Sequence, residues 1–87
     1  MLDELERSIL EKLTFEEHFH HLMEEVNASR PVLADILKIF LVKEMVQAFY
    51  QDEETGKVLP TAFCDTDNLQ DYQFRRTRKG TEALYGS

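Results

Sequence analysis

Two strand-like runs in the last third of the chain constrain the fold more than any other feature. The runs Val46–Gln51 and Asp71–Arg76 both carry aromatic side chains, which favour strands. Turn-forming residues separate them, most densely at Asp52–Gly56 and Asp65–Asn68. Thr77, directly after the second run, stands where a helix cap is expected. The pattern predicts a ribbon of strands that doubles back beside a helical body and then leads into a helix.

The ribbon is predicted to cover about residues 46–76. Within it, Val58–Cys64 can form a short strand at the edge of the sheet, where Pro60 is tolerated because an edge strand needs fewer backbone donors. The final helix is predicted at about residues 78–85, and Gly86 ends it. The ribbon therefore has two or three short strands.

The first half of the chain is predicted to form three helices, at about residues 2–13, 15–26 and 30–44. Apolar residues of the first helix recur at helical spacing, with acids between them. Thr14 and Glu17 match a capping box. Thr14 is expected to cap the start of the second helix, and the Glu17 side chain is expected to reach back to the Thr14 backbone.

A short break separates the second and third helices. Asn27–Ser29 interrupts the helical period, and Pro31 suits the first turn of the next helix. Two helices separated by so few residues are a candidate helix-turn-helix. Phe15 is expected on the buried face of the second helix, and Leu33 on that of the third. The predicted fold class is α+β, with a single domain over residues 1–87.

Composition favours a soluble domain that does not enter a membrane. The chain has 87 residues, enough for one core, and no apolar run approaches the roughly 20 residues that a transmembrane helix needs. Its acidic start lacks the basic region of a signal peptide. Cys64 is the only cysteine, which excludes a disulfide framework, so the reducing cytoplasm is the expected location.

The net charge of −7 is divided unevenly along the chain. Residues 1–29 carry eight acids and two bases, and residues 51–71 carry six acids and one base. By contrast, residues 30–50 carry three bases and two acids, and residues 72–87 carry four bases and one acid. Positive charge therefore gathers on the third helix and around the last strand, although the total charge disfavours non-specific binding to DNA.

Two motifs carry a resemblance to a known family: Leu37–Val46 at the end of the third helix, and Phe74–Gly80 at the end of the ribbon. Both resemble features of PadR-like and MarR-like bacterial repressors. The first motif resembles the end of the family's recognition helix, where it meets a Gly-Leu-Val turn. The second resembles the Tyr-x-Leu-Thr-x-x-Gly sequence that closes the family's wing. The resemblance covers about residues 3–85. The chain departs from the family at Glu44, where Gly is usual, and at Arg76, where an apolar residue is usual.

The resemblance implies a winged helix-turn-helix fold: a three-helix body, a β-wing and a short C-terminal helix. It also implies a transcriptional regulator that binds double-stranded DNA as a homodimer, with the third helix in the major groove. The candidates for facing bases are Arg30, Asp35, Lys38 and Ile39. The candidates for contacting phosphates are Lys43, Lys57, Arg75, Arg76, Arg78 and Lys79. The candidates for the dimer interface are Leu2, Leu5, Ile9, Leu84 and Tyr85.

The residues leave a second function open, a winged helix that binds a protein partner and no nucleic acid. The third helix offers no Asn or Gln, the usual readers of adenine, before Gln47. Its exposed Ile39 and Val42 could form a protein-binding patch instead. The acidic turns would repel phosphates if they faced a duplex. The basic cluster after the last strand could also pair with the acidic first helices.

No motif for catalysis or for a cofactor is present, so neither an enzyme nor a cofactor is expected. Glu17, His21 and Glu25 recur at four-residue spacing and could bind zinc weakly. Nothing nearby in the sequence completes a tetrahedral site, so no metal is expected. Cys64 has no Cys or His neighbour and is expected to be a structural thiol.

Overall fold

The structure, a computed structural model, describes residues 2–62 and 64–86, and these form an α+β domain. The helices within these residues are α1 (Glu4–Lys12), α2 (Phe19–Val26), α3 (Arg30–Val42) and α4 (Arg78–Tyr85). The strands are β1 (Glu17–His18), β2 (Val46–Gln51), β3 (Val58–Thr61) and β4 (Gln73–Arg76). The strands form one antiparallel sheet in the order β1-β4-β2-β3. The predicted α+β class is confirmed.

The C-terminal ribbon consists of β2, β3 and β4. β2 lies in the middle and pairs with both of the others. Pro60 is on β3, opposite Phe49, and β3 is the edge of the sheet, where a residue without an N–H can be accommodated. A 3-10 turn at Leu69–Asp71 precedes β4, so the last strand begins at Gln73 rather than at Asp71.

The second helix begins later than the capping-box pattern indicated. Glu17 and His18 form β1 and pair with β4, so α2 begins only at Phe19. Thr14 therefore does not cap this helix, and the side chain of His18, at the cap position, makes no capping hydrogen bond. Phe15, expected on the buried face, is 72% exposed. Pairing with a strand that is distant in sequence overrides the local helix signal.

α3 ends in a Schellman motif. The Met45 N–H donates to the Phe40 carbonyl at 2.8 Å, and the Glu44 N–H donates to the Leu41 carbonyl at 3.1 Å. Glu44 has a φ of 60°, in the left-handed region that Gly usually occupies at this position. Glu44, which stands where the repressors usually have Gly, thus has a backbone conformation that favours Gly. The motif turns the chain from α3 directly into β2.

One hydrophobic core joins the helices to the sheet. Its largest side chains are Phe19 from α2, Phe40 from α3 and Phe74 from β4, none of them more than 1% exposed. Leu10 from α1 and Leu13, which directly follows this helix, are fully buried. Among the described residues, no helix is long and apolar enough to cross a membrane.

The residues proposed for a dimer face divide into two groups. Ile9 and Leu84 are only 0% and 3% exposed and belong to the core of the chain, so they are withdrawn as interface candidates. Leu2 and Leu5 are half-buried, and Tyr85 is exposed. Of the five candidates, these three have side chains at least partly accessible to a second chain.

The start of α4 packs closely against the turn between α3 and β2. The Thr77 hydroxyl accepts the Gly80 N–H at 3.2 Å and donates to the Glu44 carbonyl at 2.6 Å. The Thr77 N–H donates to the Met45 carbonyl at 2.9 Å. A Cβ atom on Gly80 would overlap that same carbonyl oxygen. The Thr-x-x-Gly motif therefore lets a helix begin in direct contact with another backbone.

Candidate nucleic-acid interface

α3 has an exposed face opposite the side that it buries. The exposed face carries Val32, Asp35, Ile39 and Val42, at helical spacings of three and four residues. Ile39 and Val42 are 46% and 84% exposed and, with Val32, form a row of apolar side chains on the surface of the helix. Lys38 is half-buried beside this face, and Lys43 is exposed at its end. The face is therefore apolar along its centre and has basic residues beside it.

Among residues 2–62 and 64–86, six basic residues have no carboxylate within the 4.0 Å ion-pair distance. Arg7 and Arg76 donate instead to the backbone carbonyls of Leu84 and Leu10, which leaves four without such a partner. They are Arg30, Lys38, Lys43 and Lys57. The first two lie on α3, the third follows its last residue, and the fourth lies in the turn between β2 and β3. All four were sequence candidates for DNA contact, so the structure leaves these candidates available to an anion.

The two arginines of β4 are engaged within the chain. Arg75 Nη1 lies 3.1 Å from Glu16 Oε1, and its guanidinium carbon is 5.1 Å from the centre of the Phe49 ring. Arg76 donates from Nη1 to the Leu10 carbonyl and from Nε to the Thr81 hydroxyl, both at 3.0 Å. Arg76 thus links α1 to α4 and is reassigned from phosphate contact to a structural role.

Arg78 and Lys79 at the start of α4 form solvent-exposed ion pairs. Arg78 Nε is 3.3 Å from Glu82 Oε1, and Lys79 Nζ is 2.8 Å from Glu44 Oε2. The hydrogen bond and charge of Lys79 hold the pKa of Glu44 below its usual value. Because these pairs face solvent, they contribute little to stability, and either cation can exchange its carboxylate for a phosphate.

A groove of about 900 Å³ connects α3 to the start of α4. Its described lining includes Lys38 from one side and Arg78 and Lys79 from the other, with Glu44 as the one acidic residue among them. DNA binding of the expected kind needs a continuous positive surface from the third helix to Arg75 and Arg76. The groove reaches Arg78 and Lys79 instead: neither Arg75 nor Arg76 is among its described lining residues, and the acidic Glu44 is. An acid in this position favours the alternative of a protein-binding module.

Several acids of the ribbon have structural roles in turns. The Asp52 carboxylate accepts the Glu54 N–H at 2.9 Å. The Asp65 carboxylate accepts the Asn68 side-chain amide at 2.7 Å and the Asp67 N–H at 3.0 Å, and these bonds lower the pKa of Asp65. Such side-chain bonds are what Asp supplies in tight turns. The acidity of the ribbon therefore reflects turn formation in part.

Comparisons of the chain with protein-family models, with curated proteins and with solved structures find no match.

Sequence reasoning did not identify the partners that occupy half of the predicted phosphate contacts. Glu16, Glu44 and Glu82 engage Arg75, Lys79 and Arg78 respectively. Only the third of these pairs has a local signal, because its members are four residues apart on a helix. The other two join elements that are distant in the sequence.

Proposed function

We propose that this chain is a cytoplasmic winged helix-turn-helix protein that binds double-stranded DNA and regulates transcription, with α3 as the recognition helix. The order of elements supports this fold. α2 and α3 are separated only by Asn27–Ser29, and a hairpin of β2 and β3 follows α3 as a wing would. β1, between the first two helices, extends the sheet beside β4.

One observation carries the proposal: among the described residues, the basic side chains that have neither a carboxylate nor a backbone carbonyl as partner lie on α3, directly after it, and in the turn of the β2–β3 hairpin. A cation that is already paired must give up its carboxylate before it binds a phosphate. An unpaired cation gives up only solvent, and the counterions of the phosphate are released. Arg30, Lys38, Lys43 and Lys57 are therefore the strongest contributors to DNA affinity.

The proposal is tested by binding the chain to a pool of random duplexes at several salt concentrations. Each neutralised phosphate contributes a slope of roughly −0.9 to log K against log salt, so four contacts per chain give about −3.6. An enriched sequence should emerge, and its affinity should fall with this slope. Failure to enrich any sequence, together with a flat salt dependence, contradicts the proposal.

Single substitutions then separate base reading from phosphate binding. Lys57→Ala should weaken binding about equally for all sequences and reduce the salt slope by about 1. Lys38→Ala should change which sequence is preferred. Lys12→Ala is the matched control, because Lys12 lies on α1 and its Nζ is 3.9 Å from Glu25 Oε2, and it should change neither property. A response to Lys38→Ala that is uniform across sequences rules it out as a base reader.

We extend the proposal to a homodimer in which Leu2, Leu5 and Tyr85 contribute to the contact. Two-fold dimers of helix-turn-helix proteins bind inverted half-sites whose centres are about 10 base pairs apart. Sequences selected from the pool should therefore contain inverted repeats at this spacing. Single half-sites, bound by one chain in sedimentation equilibrium, contradict the dimer and leave DNA binding intact.

The exposed Val32, Ile39 and Val42 favour a second candidate function, a winged helix that binds a protein through α3. Apolar side chains on an exposed helical face suit a protein groove better than a row of bases, apart from contacts with thymine methyl groups. The duplex selection separates the two functions. A protein-binding module enriches no duplex at any salt concentration, whereas a DNA-binding protein does.

A further inference from the structure

The side chains of Glu17, His21 and Glu25 converge from two secondary-structure elements. Glu17 is held in β1 by pairing with β4, whereas His21 and Glu25 are about one helical turn apart on α2. His21 Nδ1 lies 2.6 Å from Glu17 Oε2 and 3.4 Å from Glu25 Oε1. One donor atom from each residue lies within 4.8 Å of those of the other two. One nitrogen donor and two oxygen donors thus face a common point.

The charges of this cluster do not balance. The side chains of Glu17 and Glu25 are only 21% and 30% exposed, so solvent screens them incompletely. When Nδ1 is free to coordinate a metal the imidazole is neutral, so the two carboxylates leave a charge of −2. The nearest further cation, Lys12, has its Nζ 3.9 Å from Glu25 Oε2, at the limit of an ion pair. A divalent cation at the common point would balance both carboxylates.

We propose that Glu17, His21 and Glu25 bind one divalent transition-metal ion of the Zn²⁺ or Ni²⁺ class, through Nδ1 and one oxygen of each carboxylate. Metal–ligand bonds of 2.0–2.2 Å place the donors of a tetrahedral site about 3.4 Å apart, so the present spacing needs only small side-chain adjustments. The imidazole nitrogen favours these ions over Mg²⁺ and Ca²⁺, which prefer oxygen donors.

The sequence-based expectation of no metal rested on the lack of a fourth ligand. Three protein donors are sufficient for a site in which water takes the remaining position. The strand β1 adds what the sequence pattern lacked, because it holds Glu17 in the sheet rather than on the helix that carries His21 and Glu25. The two elements that carry the donors are thereby positioned before the ion binds.

The test is calorimetric titration of the untagged full chain with ZnCl₂ and with NiCl₂, and with MgCl₂ as a comparison. The wild-type chain should bind one transition-metal ion and no Mg²⁺. His21→Ala and Glu17→Gln should each weaken binding by at least about tenfold, since loss of even an indirect partner of a metal ligand costs this much. His20→Ala and Glu24→Gln are matched controls on the same helix. His20 and Glu24 have the same four-residue spacing, and His20 Nε2 lies 3.9 Å from Glu24 Oε1.

The controls should change affinity by less than about twofold, because they remove the same residue types without touching the cluster. Absence of binding by the wild-type chain overturns the proposal, and so does an equal loss in the His20 and His21 variants. Glu25→Gln removes the third ligand's charge and preserves the shape of its side chain. Circular dichroism of each variant shows whether the fold is retained, so that a loss of binding is attributed to the ligand.

Discussion

Gly80→Ala is expected to destabilise this protein, although the change adds only one methyl group and improves helix propensity. Gly80 lies in the first turn of α4, where Ala would ordinarily be the better helix former. The added Cβ would overlap the Met45 carbonyl oxygen and would lie 3.2 Å from Arg76 Cβ. The carbonyl cannot rotate away freely, because it accepts the Thr77 N–H at 2.9 Å. The conflict is between two backbones rather than two flexible side chains.

The magnitude follows from three contributions. Overpacking against a rigid neighbour costs about 3 kcal/mol, at the upper end of the usual range. Displacing α4 weakens the hydrogen bond between Thr77 and Met45, which contributes about 1 kcal/mol. The better helix propensity of Ala returns about 1 kcal/mol. The net loss in the free energy of unfolding is therefore about 3 kcal/mol, or about 10–20 °C in the thermal midpoint of a domain of this size.

Urea denaturation followed by circular dichroism measures this loss. Gly86→Ala is the matched control: Gly86 has a φ of 70° but no atom within 4 Å of an added Cβ. It should cost only about 1–2 kcal/mol, the penalty of a left-handed backbone. A Gly80→Ala variant as stable as the wild type would refute the close approach of α4 to the turn between α3 and β2, and with it the reason given for the Thr-x-x-Gly motif.

Three further outcomes are expected. Glu44→Gly should raise the thermal midpoint, because only Gly adopts the φ of 60° without strain, whereas Glu44→Ala should leave it nearly unchanged, because Ala bears the same strain as Glu. Equal midpoints in the two variants would argue against strain. Burial and the charge of Asp65 raise the pKa of Cys64 to about 11 from 9.0, so iodoacetamide should alkylate it about a hundredfold more slowly in the folded chain than in urea. Arg76→Ala should lower the free energy of unfolding by about 2 kcal/mol, because it removes the hydrogen bonds to the Leu10 carbonyl and the Thr81 hydroxyl. Arg78→Ala is the control and should cost less than about 0.5 kcal/mol, because the Arg78 side chain is 93% exposed. Similar losses in the two variants would contradict the structural role of Arg76.

The parts of the fold that the sequence predicted are those with local signals. Pro31 begins the third helix because its fixed φ suits a first turn, and it lies in the first turn of α3. Thr77 and Gly86 delimit α4 as a cap and a left-handed stop. Pro60 indicated an edge strand, and β3 is at the edge. Each of these residues acts through its own backbone, so a single sequence suffices to interpret it.

The parts that the sequence did not predict depend on distant contacts. β1 has two residues, Glu17 and His18, too few for any alternating pattern, and it exists because β4 pairs with it. The same limit applies to the candidate interface. The residues that engage Arg75 and Arg76 are Glu16 and Leu10, which are 59 and 66 positions away. The sequence allowed this basic cluster to pair with the acidic first helices as an alternative to phosphate, but it carried no signal for the individual partners.

Net charge is a poor guide to where this chain can bind an anion, because many of its acids are engaged locally. Asp3, Asp52 and Asp65 accept backbone N–H groups in a helix cap and two turns. Glu16 and Glu44 pair with cations. Exposed charges act over a screening length of about 8–10 Å at moderate salt, so the potential at α3 depends on nearby charges more than on the total of −7. The unpaired cations of α3 are close to the surface that would meet DNA, and for this reason an acidic chain can still attract phosphate on one face.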